Sequence, residues 1–273
     1  MIGRVGMESG GQAGARLLPA VGARASADTV LRVVRRMHAP VLPTPRVLGV
    51  DEWAWRKGHV YGTILVDLER RVAVDVLPER SAESLANWLV QHPGVEIITR
   101  DRSEIYAEGA RRGAPEAVQV ADRWHLLKNM GDLVERVLQR HRKELHQTAA
   151  ESITLAKTAA DREDDSFVQA LTARCETIRT AQAQAVEFGR LVRAHDIAAL
   201  ESWLSTAAGS ALPELRDFAA GMLRDEAAVR AAVELPWSNG QTEGQVNRLK
   251  MLKRQMYGRA SIGLLRQRVL HVA

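Results

Sequence analysis

The chain has 273 residues, 46% hydrophobic and 26% charged, a composition that suits a folded domain and excludes a disordered or collagen-like chain. No apolar run reaches the roughly 18 residues of a membrane-spanning helix, and the first residues lack the pattern of a secretion signal. The single cysteine, Cys175, excludes a disulfide framework and a cysteine-rich zinc finger. We therefore expect a cytoplasmic globular protein.

The formal net charge of +5 is unevenly distributed along the chain. Residues 1–46 carry a net +5, residues 47–245 a net −7, and residues 246–273 seven basic side chains and no acidic one. Basic segments favour a polyanionic partner such as nucleic acid, because Lys and Arg that contact phosphates release counterions. Short basic ends are also common as solvated surface, so charge alone leaves both interpretations open.

The first predicted element is a helix from Ser26 to Arg36, with Ser26 as its N-cap. Its valines form an apolar stripe, and its exposed surface is predicted to carry three arginines, Arg32, Arg35 and Arg36. The proline-rich segment 40–45 then favours a linker, which predicts a domain boundary near residue 45.

The residues after this boundary predict an α/β fold with a mixed sheet. Three β-rich runs predict an antiparallel meander, and two further short strands alternate with two helices. The strands are expected at 46–55, 59–67, 72–77, 95–99 and 117–121, and the helices at 81–91 and 103–112. From 123 to about 233 nearly everything is predicted to be helical, and a last basic helix is expected from about 241 to 257.

Three acidic residues have positions that suggest chemistry. Asp51 lies in the first predicted strand, Asp101 follows the fourth, and Glu243 lies in the first turn of the late basic helix. A carboxylate in an apolar strand needs a partner such as a cation, and Mg²⁺ or Mn²⁺ prefers oxygen ligands. Taken singly, each acid is better explained as a surface carboxylate or a turn residue, the interpretation we give to Asp67 and Asp75, so the case rests on the three together.

The late basic helix strengthens the case, because four polar residues share one stripe of it. Their spacings are i, i+4, i+7 and i+11, and they are Glu243, Asn247, Lys250 and Arg254. Val246, Leu249 and Met256 lie on another face that suits packing on the sheet. A metal-binding acid followed by phosphate-binding cations is what phosphodiester chemistry requires. An amphipathic surface helix with solvated cations is the alternative.

The motifs GVDEWAWRKGHVYGT at 49–63, TRDRS at 99–103, ADRWHLLKN at 121–129 and SNGQTEGQVNRLK at 238–250 resemble those of bacterial insertion-sequence transposases of the ISL3-type DDE family. The resemblance covers roughly residues 46–273. It implies an RNase H-like fold with a large all-helical insertion before the last catalytic helix, and Asp51, Asp101 and Glu243 as catalytic, metal-binding acids. It also implies two Mg²⁺ or Mn²⁺ ions, double-stranded DNA as partner and substrate, and a homodimer on DNA.

The resemblance divides the chain into four expected segments. They are a partial helix-turn-helix remnant with its linker (1–45), the first part of the catalytic core (46–130), the helical insertion (131–235), and the catalytic helix with a basic tail (236–273). Family members usually carry a zinc-binding segment and a full helix-turn-helix at the front, and neither fits before residue 45. Lys253 joins Asn247, Lys250, Arg254 and the arginines of the first helix as candidate DNA contacts.

Asp122 and His125 match a further family motif whose role is open. Asp122 is either an accessory acid near the metals or the cap of the following helix, and His125 has a structural role or one near the DNA. The function implied is metal-dependent DNA cleavage and strand transfer by a cytoplasmic, nucleoid-associated enzyme. A catalytically idle DNA-binding remnant and an RNase H-like nuclease are the alternatives.

Overall fold

The structure is a computed structural model, and it describes residues 1–38, 40, 42–56, 60–143, 146, 169 and 171–271. The chain divides into two compact units. The first comprises Met1–Asp122 and Trp237–Ala273, and the second comprises Arg123–Pro236. Among the described residues, no helix is both long and apolar enough to cross a membrane.

A five-stranded mixed sheet forms the centre of the first unit, with the strand order β3-β2-β1-β4-β5. The strands are β1 (Val47–Arg56), β2 (Val60–Asp67), β3 (Val72–Leu77), β4 (Ile97–Arg100) and β5 (Val118–Ala121). The first three form an antiparallel meander, and β4 and β5 run parallel to β1. The predicted α/β class and the predicted meander are therefore confirmed.

Helices cover the two faces of this sheet, because alternate residues of each strand point to opposite sides. Leu48 and Val50 of β1 join a core with α3 (Ala82–Gln91) and α4 (Glu104–Gly113). Val47 and Trp53 join a second core with α10 (Gly240–Gln255) and α11 (Ile262–His271). The predicted packing of Val246 and Leu249 on the sheet is confirmed, since both are buried in the second core.

The turn between β2 and β3 shows how one acid serves the fold. The Asp67 carboxylate accepts hydrogen bonds from the backbone N–H groups of Glu69 and Arg70, at 3.0 and 2.9 Å. Its interpretation as a turn residue is confirmed. Asp75 in β3 differs, because its carboxylate is buried and accepts hydrogen bonds from Trp88 Nε1 (3.0 Å) and from Arg266. The surface or turn interpretation of Asp75 is therefore wrong. Its buried carboxylate links β3 to α3 and α11 through these hydrogen bonds.

Two helices precede the sheet, α1 (Ile2–Leu17) and α2 (Ala27–Arg36), and a 3₁₀ turn at Leu18–Val21 follows α1. Ser26 caps α2 as predicted, since its hydroxyl accepts a hydrogen bond from the Thr29 N–H at 3.2 Å. The glycine-rich segment before it, for which the sequence predicts no helix, is helical. Its small residues allow the close contact between α1 and α2, and packing therefore outweighs the low helix propensity of glycine.

In the described part of the second unit, all regular secondary structure is helical. They are α5 (Arg123–Arg140), α6 (Glu176–Ala194), α7 (Ile197–Ala208), α8 (Pro213–Leu223) and α9 (Glu226–Glu234). Phe188, Trp203 and Phe218 pack edge to face or tilted at the centre of this unit, with ring centroids 4.8 to 5.9 Å apart. Most of residues 144–170 of the predicted insertion lie outside the described residues.

Candidate catalytic site

Three aspartates follow the same register across the three parallel strands. The pairs Gly49↔Thr99 and Arg100↔Ala121 join β1 to β4 and β4 to β5. Continuing these registers to the carboxyl ends of the strands brings Asp51, Asp101 and Asp122 to one level. Asp101 and Asp122 each directly follow the last residue of their strand. Such carboxyl ends of parallel strands are where α/β sheets form their sites.

The fourth acid reaches this edge from α10. Asp51 has the same strand parity as Val47 and Trp53, so it lies on the sheet face that α10 covers. Glu243 is in the first turn of α10, as predicted, and one of its carboxylate oxygens lies within 4.8 Å of one of Asp122. The sheet edge and the helix therefore bring together acids from four separate elements.

The electrostatics of Asp51 show this crowding of negative charge. Burial, the largest cause, and the negative charges of Asp101 and Glu243 together raise the pKa of Asp51 from 3.8 to about 7. A hydrogen bond from the Glu52 N–H to Asp51 Oδ1, at 2.7 Å, opposes these effects only in part. A cation among these carboxylates would remove the repulsion.

Glu52, next to Asp51, is not part of this group. Its position in the strand points it to the opposite face, where its carboxylate forms an ion pair with Arg80 at 2.6 Å. Arg80 also donates a hydrogen bond to the Ser103 hydroxyl at 3.3 Å. Ser103 in turn donates its backbone N–H to Asp101 Oδ1 at 3.1 Å, which orients that carboxylate. Through Arg80 and Ser103, Glu52 thus helps to fix the Asp101 loop from the opposite face of the sheet.

The amino-terminal end of α10 contacts β1 very closely, and Gly49 permits the contact. A Cβ atom at residue 49 would lie 2.1 Å from the Thr242 hydroxyl and 2.9 Å from a methyl group of Leu68. Thr242 is fully buried beneath the first turn of α10. Any side chain at residue 49 would therefore push Glu243 away from the aspartates.

Asn239 attaches the start of α10 to two strands at once. Its side-chain amide donates to the Val50 carbonyl at 3.0 Å and accepts from the Thr99 hydroxyl at 2.9 Å. Only 1% of the Asn239 surface is exposed. Val50 and Thr99 lie one and two residues before Asp51 and Asp101, so this side chain sets the position of Glu243 relative to both aspartates. Neither Asn239 nor Thr242 is predicted as functional from its sequence position, although both belong to the motif around Glu243.

The predicted cationic stripe continues along α10 towards its carboxyl end. Asn247 and Arg254 are exposed, and Lys250 is half-buried. Lys253 differs from them, because its ammonium group donates a hydrogen bond to the Ala54 carbonyl at 2.8 Å. Burial lowers the pKa of Lys253, and the charges of Arg254 and Lys250 lower it further.

The remaining predicted residues lie on α2 and α5. Arg32, Arg35 and Arg36 are all exposed on α2. His125 is half-buried in the first turn of α5, in the second unit, with its ring edge to face with Trp124 at 4.7 Å. Of the tryptophans beside the acidic motifs, Trp53 is buried and Trp55 and Trp237 are partly buried, whereas 52% of Trp124 is exposed.

Comparisons with known proteins identify the family of this chain. A family model described as "Transposase", of the DDE ISL3 type, matches residues 48–269. The transposase for insertion sequence element IS1001 from Bordetella parapertussis is 25% identical over 230 residues. That match covers 77% of this chain and 57% of the relative, so the chain spans little more than half of the curated relative's length. The mixed α/β sheet is compatible with an RNase H-like transposase domain. This chain therefore belongs to the ISL3-type DDE transposase family.

Proposed function

We propose that this chain catalyses divalent-metal-dependent cleavage and strand transfer of double-stranded DNA during transposition. The observation that carries the proposal is the set of acidic side chains from β1, β4, β5 and α10 at one edge of the sheet. Their number and their mutual repulsion suit cation binding better than a purely structural role.

The residues at this edge fit Mg²⁺ or Mn²⁺. Their donors are carboxylate oxygens, and the negative charges of Asp101 and Glu243 help to raise the pKa of Asp51, an effect that a bound cation would oppose. In the proposed site Asp51, Asp101 and Glu243 would together hold two ions. When bound, the ions would activate water or a DNA 3′-hydroxyl and stabilise the leaving oxygen.

Asp122 has the role of an accessory acid in this proposal. Its carboxylate lies close to that of Glu243 and at the register of Asp51 and Asp101, and only 1% of the residue is exposed. A carboxylate this close to that of Glu243 can share a divalent cation with it. We place His125, three residues later, near the DNA.

The cationic side chains bind and position the DNA backbone. Asn247, Lys250 and Arg254 continue from Glu243 along one stripe of α10, so phosphates on either side of the cleaved bond meet amide and cationic groups. Lys253 and the exposed arginines of α2, Arg32, Arg35 and Arg36, extend the contacts along the duplex. A homodimer on DNA would handle the two ends of the element together.

The experiment compares the full chain with its Asp101→Ala variant on plasmid and duplex DNA containing the flanks of the encoding element, with Mg²⁺ or Mn²⁺. We expect Asp101→Ala to lose cleavage by about 10³-fold or more, because a metal ligand is removed, while DNA affinity stays within about 3-fold. Glu83→Gln, an exposed acid of α3 in the same unit, is the matched control and should cleave normally.

Three results would contradict the proposal. Equal cleavage by Asp101→Ala and the unaltered chain would remove Asp101 from the chemistry. Binding without nicking under any metal condition would indicate an idle DNA-binding remnant. Preferential cleavage of the RNA strand of an RNA–DNA hybrid would indicate an RNase H-like nuclease.

A further inference from the structure

A fully buried arginine lies on α11, away from the acidic site. Arg268 has 0% of its surface exposed, and its Nε and Nη2 atoms donate to the carbonyls of Met7 and Glu8, both at 2.6 Å. Nη2 also donates to Gln255 Oε1 at 3.0 Å. These three hydrogen bonds are thus accepted by two backbone carbonyls and one side-chain amide. Burying a guanidinium group with such neutral partners costs free energy, which points to a positional role.

The Met7 and Glu8 carbonyls accept these bonds because α1 is interrupted there. Gly10 has φ 75° and ψ −175°, a conformation that breaks the helix and that other residues rarely adopt. The carbonyls just before such a break lack helical N–H partners, and the end of a helical segment carries partial negative charge. Arg268 therefore acts as an external cap for the first segment of α1.

A second side chain of α11 attaches α2 in the same way. Gln267 Nε2 donates to the carbonyl of Met37, the C-cap residue of α2. Between the two attachments lies an apolar cluster of Met7 and Val34 with Ala260 and Leu264. Both amino-terminal helices are thus bonded to one helix that follows the catalytic helix in the chain.

The contact continues from α11 to α10 and the sheet. Arg248 of α10 donates to the Val269 carbonyl of α11 at 3.3 Å, and Val269 and Leu270 pack in one core with Val246 and Leu249. On the other side, α2 buries Val30 and Val34 and leaves its arginines exposed. An unbroken series of packed helices therefore joins the arginine face of α2 to the helix that carries Glu243.

We propose that Arg268 and Gln267 are positioning residues that hold the arginine face of α2 at a fixed distance and orientation from the acidic site, so that α2 determines which phosphodiester bond is cleaved. This inference rests on the proposed function for its consequence, but the docking itself is independent of it. Without these contacts, α2 would be joined to the sheet only through the chain segment 40–45. It would then bind DNA equally well but would not define the cleavage position.

The docking is tested by a distance measurement that needs no activity. Two labels are attached in a Cys175→Ala background, through Asp28→Cys on α2 and Arg112→Cys on α4, both exposed and both in the first unit. We expect a single narrow distance distribution by pulsed electron resonance. Arg268→Met should broaden it, and Arg259→Met, an exposed arginine between α10 and α11, should not. A broad distribution in the parent protein would overturn the proposal.

The consequence is tested by mapping the cleaved bonds on an end-containing duplex. Arg268→Met should bind DNA with an affinity within about 3-fold of that of the parent chain. Its rate of cleavage at the normal bond should fall by about 10–100-fold, or the cleaved bonds should be scattered along the duplex. Unchanged rate and position in Arg268→Met would overturn the proposal. If Arg268→Met does not fold, Gln267→Ala decides by the same two readouts. If the parent chain cuts no DNA, the proposed function fails while the distance result still decides the docking.

Discussion

The two ends of α10 are built in different ways. At its amino-terminal end Asn239 and Thr242 are buried, and Gly49 leaves space for a backbone contact that no side chain would allow. Towards its carboxyl end Asn247 and Arg254 are exposed to solvent. The difference matches what each end is proposed to do: metal chemistry needs acids in fixed positions, whereas binding a DNA backbone needs mainly positive charge.

Among variants that compare the two ends of α10, the largest effect is expected from Asn239→Ala at the amino-terminal end. It leaves the Val50 carbonyl and the Thr99 hydroxyl without their buried partner, which costs about 1–3 kcal/mol of folding free energy. It also frees Glu243 to move, and a displacement of about 1 Å lowers catalysis by about 10²-fold. Thermal unfolding and cleavage assays measure the two effects.

Gln241→Ala, an exposed change in the same helical turn, is the control for Asn239→Ala. It should alter the unfolding free energy by less than about 0.5 kcal/mol and leave cleavage unchanged. Equal behaviour of the two variants would show that the amino-terminal end of α10 needs no buried attachment, and the contrast between the two ends would disappear.

The sequence predicted the acids of this site better than their supports. Asp51, Asp101 and Glu243 are recognisable because a charge in or just after an apolar strand, or ahead of a cationic stripe, departs from the local pattern. Asn239 and Gly49 look like ordinary loop and strand residues, since their partners Val50 and Thr242 are 189 and 193 positions away. Their supporting role becomes apparent only from the contact between β1 and the start of α10 in the folded chain.

The fold shows the same division between local and distant information. The meander and the order of strands and helices follow from periodicity and turn residues, and they are confirmed. The helix α1 is not predictable in that way, because its glycines favour a loop until α2 packs against them. Asp75 was misassigned for a related reason: its partners Trp88 and Arg266 come from two other helices.

An intermediate effect is expected from the charge at the amino-terminal end. Asp51 has a pKa of about 7 in the folded protein against 3.8 ordinarily, so folding favours its protonated form. Its contribution to stability is complete below about pH 4 and is lost as the pH rises through 7. Bound Mg²⁺ needs the carboxylate, so its stabilising effect should be larger at pH 8 than at pH 6.

Thermal unfolding with and without Mg²⁺ at the two pH values measures this effect, with an expected difference of a few degrees. Asp51→Asn should remove the difference between the pH values, because the asparagine side chain does not titrate. Asp132→Asn, at a half-buried acid of α5 in the other unit that is paired with Lys128, should retain it. An equal Mg²⁺ shift at pH 6 and pH 8 in the unaltered chain would contradict the assignment of Asp51 as a metal ligand.

The smallest effect is expected at the exposed end, from Arg254→Ala. Because this side chain is exposed, its loss should change the unfolding free energy by less than about 0.5 kcal/mol. If it contacts one phosphate, the slope of log affinity against log salt should fall by about 1, equally for any DNA sequence. Binding titrations at several salt concentrations measure that slope. Arg111→Ala, an exposed arginine of α4 paired with Glu104 and Glu108, should leave it unchanged. A slope that does not change would show that Arg254 contacts no phosphate. A loss of affinity that depends on DNA sequence would show that the exposed end of α10 does more than supply charge.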